Sequence, residues 1–592
     1  VEREGSMSSV LDADTVLAID VGSVSTRASL FDVVDGRYRL IATGRAPSTA
    51  DAPLFDISEG VRMALDQVHE VTGRQLLDES ELLIMPVTSQ GAGADVFVAT
   101  ASAGPKVRTV LVGLMPGVST TSAQRMADST YLELVEVINL LDRRRDEEKI
   151  SRIAAARADL ILVVGGTDGG ARDSVLQMIE LVAVGVELIP ARQRPRIVYA
   201  GNRRLASAVA ERFGNRLDIA QAPNVRPALR QEDLVHARLA IGEAIAEARG
   251  KRVNGFQELE QWSGGYLMLT ADAYGRVIKY LSRIYDPEKA VIGVDVGASH
   301  TMVAASFEGD LRLRVDTELG LGRPLPLILK RSNLDNIMRW LPIDLPKGAV
   351  LDYIHNKVVH PGLVPSEDTG LHLELALTRE LIRTALKKAR AGWPRGKDLK
   401  STWLLPPTEP IIASGSALAR TPHPGYAALT LLDGLEPTGI TTMVLDPHGL
   451  SPSLGAASGP VPMLAVQVLE SGSYVSLGTV VAPVGRTRLG RKILTLHMEP
   501  EHGSEAIAGE IRMGQLAVIP LRQGEYARLT LRPERGINVG FGSPGKAGAL
   551  RIAGGALGLI IDARGRPLKL DPDPARRRDT NEKWLWDIGA KE

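Results

Sequence analysis

The sequence predicts an α/β chain of two similar units followed by an all-β region, on three observations. Between Thr15 and about Glu470, short apolar runs alternate with amphipathic stretches, the pattern of strands covered by helices. An apolar, β-branched run ending in Asp-Val-Gly occurs twice, at Asp20-Val21-Gly22 and at Asp295-Val296-Gly297, with Thr26 and Thr301 at the same offset. After about Ser471 the chain becomes a series of short strand-like runs separated by Gly and Pro turns.

Taken in order, residues 1–14 read as a flexible, polar leader without the apolar core of a signal peptide. The first unit spans 15–288. Its expected strands are Val16–Asp20, Arg27–Asp32, Arg37–Thr43, Glu81–Thr88, Asp95–Ala99, Val107–Leu114, Asp159–Val164 and Arg196–Ala200. Its expected helices are Ile57–Val71, Ser122–Leu141, Ile150–Arg157, Arg172–Gly185, Leu205–Arg212 and Gln231–Ala248. The second unit, 289–475, opens on the second Asp-Val-Gly strand. It carries a helical insertion over about 320–368, then a helix over Leu371–Ala391. Residues 476–592 form the β-rich region, a sandwich or barrel. If it stands apart, deleting it leaves ligand binding by the two units intact. Trp584 and Trp586 are expected to anchor the chain end onto a core.

A chain of 592 residues exceeds one domain, and 44% hydrophobic residues supply several cores. Lys+Arg and Asp+Glu are both 70, so no bulk charge draws the protein to nucleic acid or an anionic membrane. Aromatics at 4% give little base-stacking surface. No segment approaches the ~20 apolar residues of a membrane span. The absence of cysteine excludes disulfides, thiol catalysis and Cys-ligated metal centres, and is compatible with a reducing cytoplasm.

Each Asp-Val-Gly run reads as a buried strand, a tight turn and a returning strand. The turn sets a carboxylate beside exposed backbone N–H groups and small hydroxyls, which is the chemistry that holds phosphates and a hydrated Mg²⁺. Asp20 and Asp295 are the candidate metal and catalytic carboxylates. Gly22, Ser23, Ser25 and Thr26, and Gly297, Ala298, Ser299 and Thr301, are the candidate phosphate contacts. His300 in the second turn reads more readily as a polar turn residue than as a catalyst. Gly165, Gly166, Thr167, Asp168 and Gly169 follow a buried strand and precede a helix, a good anion-binding arrangement. Asp168 there reads as a base, a metal contact or a turn former. Asn202 reads equally as a ligand contact or a helix cap. Ser414, Gly415 and Ser416 form a turn able to lie against adenine and ribose. The stretch from Asp446 to Ala457 reads as packing, Thr88–Gly104 as close packing, and Gly540–Gly548 as a hairpin loop. His360, His423 and His448 lack metal-site spacing.

First turn, second turn and adenosine turn in this order resemble the actin, Hsp70 and sugar-kinase superfamily. The segments Asp20–Arg27, Gly165–Gly170, Tyr199–Asn202 and Asp295–Thr301 further resemble the MutL family associated with glutamate mutase, which is unrelated to the mismatch-repair protein of that name. The resemblance covers about residues 15–470. It implies two ribonuclease-H-like domains clasping Mg-ATP in a central cleft. It also implies ATP-driven reactivation or chaperoning of an adenosylcobalamin-dependent mutase in the cytoplasm, with the mutase subunits as partners. Two departures bear on hydrolysis more than on binding: Ala298, Ser299 and His300 fill the second turn, and the adenosine turn has one glycine. A small-molecule kinase of the same fold, with Asp168 as base, and a non-catalytic actin-like scaffold are the competing readings.

Overall fold

A computed structural model describes residues 13–214, 217, 219–265, 267–394, 404–502 and 505–591; most of the expected leader lies outside them. The first unit contains strands β1 (Val16–Val21), β2 (Ser25–Val34), β3 (Arg37–Pro47) and β4 (Val96–Ala101). An inserted sheet follows, made of β5 (Val107–Val112), β6 (Leu132–Ile138), β7 (Leu160–Val163), β8 (Arg196–Tyr199) and β9 (Ile219–Gln221). The chain then returns through β10 (Leu267–Leu269) to complete a sheet of order β10-β4-β1-β2-β3. In it β2 is antiparallel to both β1 and β3, whereas β4 runs parallel to β1 and to β10.

The second unit repeats this arrangement with β11 (Ala290–Val296), β12 (Thr301–Phe307), β13 (Asp310–Asp316), β14 (Thr408–Ser414) and β15 (Gly439–Leu445). Their order is β13-β12-β11-β14-β15, with β12 antiparallel to its neighbours and β14 parallel to β11 and β15. The same strand order and sense in both halves is the pair of ribonuclease-H-like, actin-type domains that the resemblance implies.

The inserted sheet is entirely parallel, in the order β6-β5-β7-β8-β9. Strand β7 is the fully buried Leu-Ile-Leu-Val run expected of a sheet covered on both faces. The helix expected over Ser122–Leu141 is two elements here, a helix at Ser119–Ala127 and strand β6. Ser129 and Thr130 end the helix by donating their hydroxyls back to the carbonyls of Met126 and Ala127. From Leu132 the β-branched residues favour pairing with β5. The strand expected over Glu81–Thr88 does not form. Pro86 lacks a donor, and the segment contributes only the isolated bridge between Leu83 and Leu77.

The two units meet where the helix Thr270–Ile284 crosses the helix Ser451–Ala457. A Cβ on Gly455 would lie 1.8 Å from the Ala273 carbonyl oxygen, so only glycine allows this approach. Buried Ala271, Ala273 and Tyr274 share one core with Leu450, Leu454 and Ala456.

The β-rich region is shared between two sheets. Strands β16 (Val475–Ala482), β19 (Leu516–Ile519) and β22 (Leu559–Asp562) extend the second unit's sheet to eight strands. Strands β17 (Lys492–Pro500), β18 (Ile507–Arg512), β20 (Tyr526–Pro533) and β21 (Gly548–Ala553) form an antiparallel sheet of order β18-β17-β20-β21. The chain closes with the helix Pro574–Asp587, which buries Trp584 and leaves Trp586 half exposed. A buried ionic network ties this end to the second unit. Arg564 contacts Asp562 at 2.9 Å and Asp433 at 2.8 Å, Arg566 contacts Asp562 at 2.6 Å, and Arg379 contacts Asp433 at 2.8 Å. Burial pushes the Asp562 carboxyl up, but Arg564 and Arg566 outweigh it and hold the group well below the usual carboxylate range.

These contacts make the C-terminal region part of the second unit's core. Truncation before Val475 is therefore expected to abolish cooperative unfolding of the second unit, measured by calorimetry, in place of leaving ligand binding intact. Arg564→Met leaves Asp562 and Asp433 short of a counter-charge and is expected to cost about 3–5 kcal/mol, read by urea unfolding.

Candidate functional site

The two Asp-Val-Gly strands end side by side at a narrow pocket of about 90 Å³ lined by residues of both units. Each turn closes with the same bond: the Gly22 N–H donates to the Ser25 carbonyl at 3.0 Å, and the Gly297 N–H to the His300 carbonyl at 3.0 Å. A Cβ at Gly22 would sit 2.8 Å from that Ser25 oxygen, which is why the turn needs glycine. Gly22, Ser23, Ser25, Gly297, Ala298 and Ser299 line the pocket, as do Ser414, Gly415 and Ser416. Thr26 and Thr301 do not. Both are fully buried, and Thr26 lies against Gly60. Strand alternation explains this for Thr26: Ser25 and Arg27 face the pocket, so the residue between them faces the core.

Asp20 is 5% exposed and accepts hydrogen bonds from Thr100 (2.7 Å) and Thr270 (3.0 Å), with Arg27 at 3.7 Å. Burial raises its pKa, and Asp446 adds to the rise against the opposing pull of Arg27 and the two threonines. The Asp295 side chain has no hydrogen bond or ion pair with any described residue. Burial, with Asp20 and Asp446 as like charges, pushes it up to about 6 despite Arg27. Asp446 caps the Ser451–Ala457 helix, accepting from the N–H groups of Leu450 and Ser451, both at 2.8 Å. Gly415 (φ +105°) is held against β11: a Cβ there would meet the Val296 carbonyl oxygen at 2.3 Å. Beside it a second space of about 230 Å³ is bordered by Arg27, Arg45, Ser416, Arg420 and Asp446.

His300 is buried edge-on against Tyr131, with ring centroids 5.2 Å apart, and bonds Ser299 through Nδ1 at 2.9 Å. Burial, and then the nearby Arg249, lower its pKa to about 4, so it is neutral at ordinary pH.

The loop Gly165–Gly170 is elsewhere, at the carboxyl end of β7 in the inserted sheet. The Asp168 carboxylate accepts from the Arg203 N–H and the Asn224 side chain, both at 2.9 Å. Asn202 accepts from the Gly169 N–H at 3.0 Å and donates to the Gly170 carbonyl at 2.8 Å. The loop organises itself, and Gly165, Gly166, Thr167, Asp168 and Gly169 do not join Asp20 and Asp295. Sequence reasoning passed over Thr270 and Arg45, and gave the stretches that hold Thr100 and Asp446 to packing. Only Asp446 carried a signal, since it follows an apolar strand just as Asp20 and Asp295 do.

Such a pocket defines a two-domain α/β protein that presents two carboxylates and two amide-rich turns to one another. The chain belongs to the MutL protein family, whose model matches residues 16–472. Protein MutL of Clostridium tetanomorphum is 25% identical over 341 residues, 56% of this chain and 66% of that protein, so the match spans just under two thirds of the relative. Among solved structures, nucleotide-free acetone carboxylase is similar at 13% identity, with a TM-score of 0.33 over 84% of this chain and 81% of the other. Nucleotide-free diol dehydratase-reactivating factor is similar at 11% identity, with a TM-score of 0.29 over 78% and 100%.

An unpaired, partly buried carboxylate costs stability. A carboxyl whose folded pKa is raised stabilises the fold when protonated, and that contribution is lost as pH climbs from about 4 through about 6. Asp295→Asn is therefore expected to be more stable than the parent at pH 7, on the order of 1 kcal/mol after solvent screening. The gain should vanish near pH 4; thermal melts across that range measure it.

Proposed function

We propose that this protein binds Mg-ATP in the cleft, hydrolyses it, and uses the resulting change in domain closure to reactivate an adenosylcobalamin-dependent mutase such as glutamate mutase. The observation that carries the nucleotide reading is the pair of identically closed turns, Gly22–Ser25 and Gly297–His300, meeting at one pocket with Asp20 and Asp295. Membership of the MutL family supports the choice of partner.

The donor set fits a divalent cation. Asp20 raises the pKa of Asp295, Asp446 raises that of both, and the Asp295 side chain has no partner of its own, so a cation offsets negative charge that Arg27 only partly offsets. Mg²⁺ bound there would neutralise phosphate charge, held through one or two carboxylates as this ion usually is. The chain's own residues do the rest. Backbone amides of the two turns cradle phosphate oxygens. Thr100 and Thr270 fix the Asp20 carboxylate so that it can orient a water. The nucleoside lies along Gly415 and Ser416, beside the 230 Å³ space that Arg420 borders. Closure is transmitted by the crossing helices, because Thr270 begins one and Asp446 caps the other.

Titration calorimetry with ATP, with and without Mg²⁺, tests the site. Asp295→Ala is expected to lose the Mg-dependent part of the affinity; wild-type Mg-dependent binding by that variant would sink the assignment. The partner reading is tested by adding inactivated glutamate mutase with adenosylcobalamin and ATP. Recovery of mutase activity is expected with the parent protein and not with Asp295→Ala.

A further inference from the structure

Past the two turns, a much larger cavity of about 1190 Å³ opens between the units. Ser23, Val24 and Ser25 of the first turn, and Ala298 and Ser299 of the second, line both it and the narrow pocket. Gly415 and Ser416, the proposed nucleoside contacts, border the narrow pocket and the 230 Å³ space but not this cavity. Its volume is ample for a small-molecule ligand.

The charge of its wall is one-sided. Arg45, Lys106, Arg252, Arg323 and Arg420 line it against a single acidic residue, Asp51. Asp51 is engaged by Arg323 at 3.4 Å, and Arg252 pairs with Asp159. Arg45, Lys106 and Arg420 have no ion pair with any described residue. Arg45 is crowded by its own kind: burial, and then Arg27 and Arg420, push it down to about 10. Beneath the cavity floor lies a further cation. Arg249 is 2% exposed, its Nε and Nη1 have no hydrogen-bond partner, and its guanidinium stacks over Tyr131 at 4.7 Å. Its Cδ is 3.3 Å from where a Cβ on Gly104 would lie, so the absent side chain at Gly104 leaves this cation directly behind the wall. A buried guanidinium without a counter-charge is costly, and its field in a low-dielectric wall reaches further than it would in water. The lining also includes apolar side chains, Ala46, Phe55, Leu327 and Val358 among them.

We propose that this cavity is a second ligand site, for a small organic anion that carries a carboxylate or phosphate on an apolar body. The anion supplies the counter-charge that Lys106 lacks and shares Arg45 and Arg420 with the 230 Å³ space, while its body rests on the apolar side chains of the lining. Only its position beside the nucleotide's phosphates rests on the nucleotide reading; the site itself does not.

The test is a fluorescence titration of the full chain with 8-anilinonaphthalene-1-sulfonate, an anion on an apolar body, and with the neutral N-phenyl-1-naphthylamine. Both are run with and without saturating ADP, whose own binding is followed by calorimetry. One sulfonate probe per chain is expected, bound together with ADP, with the neutral analogue weaker by about tenfold or more, the worth of one charge-assisted contact. Lys106→Ala should weaken the anion by a similar factor without changing ADP affinity, and Lys106→Arg should restore it. Equal binding of anion and neutral analogue, or indifference to Lys106→Ala, overturns the proposal. Displacement of the probe by ADP, one for one, also overturns it, by giving the cavity to the nucleotide. Failure of ADP to bind while the anion binds as described sinks the nucleotide reading alone.

Discussion

The close crossing of the 270–284 and 451–457 helices is the constraint on which the cleft depends. Its geometry is set by backbone against side-chain-free backbone at Gly455 and Ala273, so there is no flexible side chain to absorb a change of angle. Each helix also touches the chemistry at its first turn. Thr270 opens one and donates to Asp20; Asp446 caps the other and raises the pKa of both Asp20 and Asp295. The carboxylates therefore face one another at a separation fixed by packing, and any shift at the crossing is a shift at the pocket.

Stability and function are divided between the two ends of the second unit. At the far end, the carboxylates of Asp562 and Asp433 are fully matched by Arg564, Arg566 and Arg379, and the network joins the last strand to the helices Asp368–Ala389 and Pro424–Leu435. At the cleft the opposite holds. Asp295 is unmatched, Arg45 and Arg420 crowd each other, and Arg249 is buried without a counter-ion. Both signs of charge are left uncompensated close together but not against each other, the pattern expected where ligands complete the electrostatics.

What was legible in the sequence was local. A strand, an Asp and a glycine turn are contiguous, so both turns and both key carboxylates could be read from short windows. The face each residue takes was also readable: Ser25 and Arg27 alternate with Thr26, yet hydroxyl chemistry alone drew Thr26 into the candidate set. What depends on long-range pairing was hidden. Thr270 reaches Asp20 across 250 positions. Strands β16, β19 and β22 read as part of a separate β region because nothing in their own residues says which sheet they join. The Gly165–Gly170 loop has the composition of a phosphate loop, and only the strand order shows that it crowns a different sheet.

That separate sheet is nevertheless wired to the cleft. The Asp128 carbonyl accepts from the Val315 N–H and its carboxylate meets Arg314, both at 2.7 Å, which ties the insert to the second unit through β13. Arg238 meets Asp272 at 2.5 Å, which ties it to the first turn of the 270–284 helix. Tyr131 and Arg249 close over His300 in the second turn. The insert thus grips one residue of the crossing helix, one strand of the second unit and one turn of the pocket. It cannot stay fixed to all three if the units rotate about Gly455. Under the proposed closure, the insert is the element that such a rotation would have to displace.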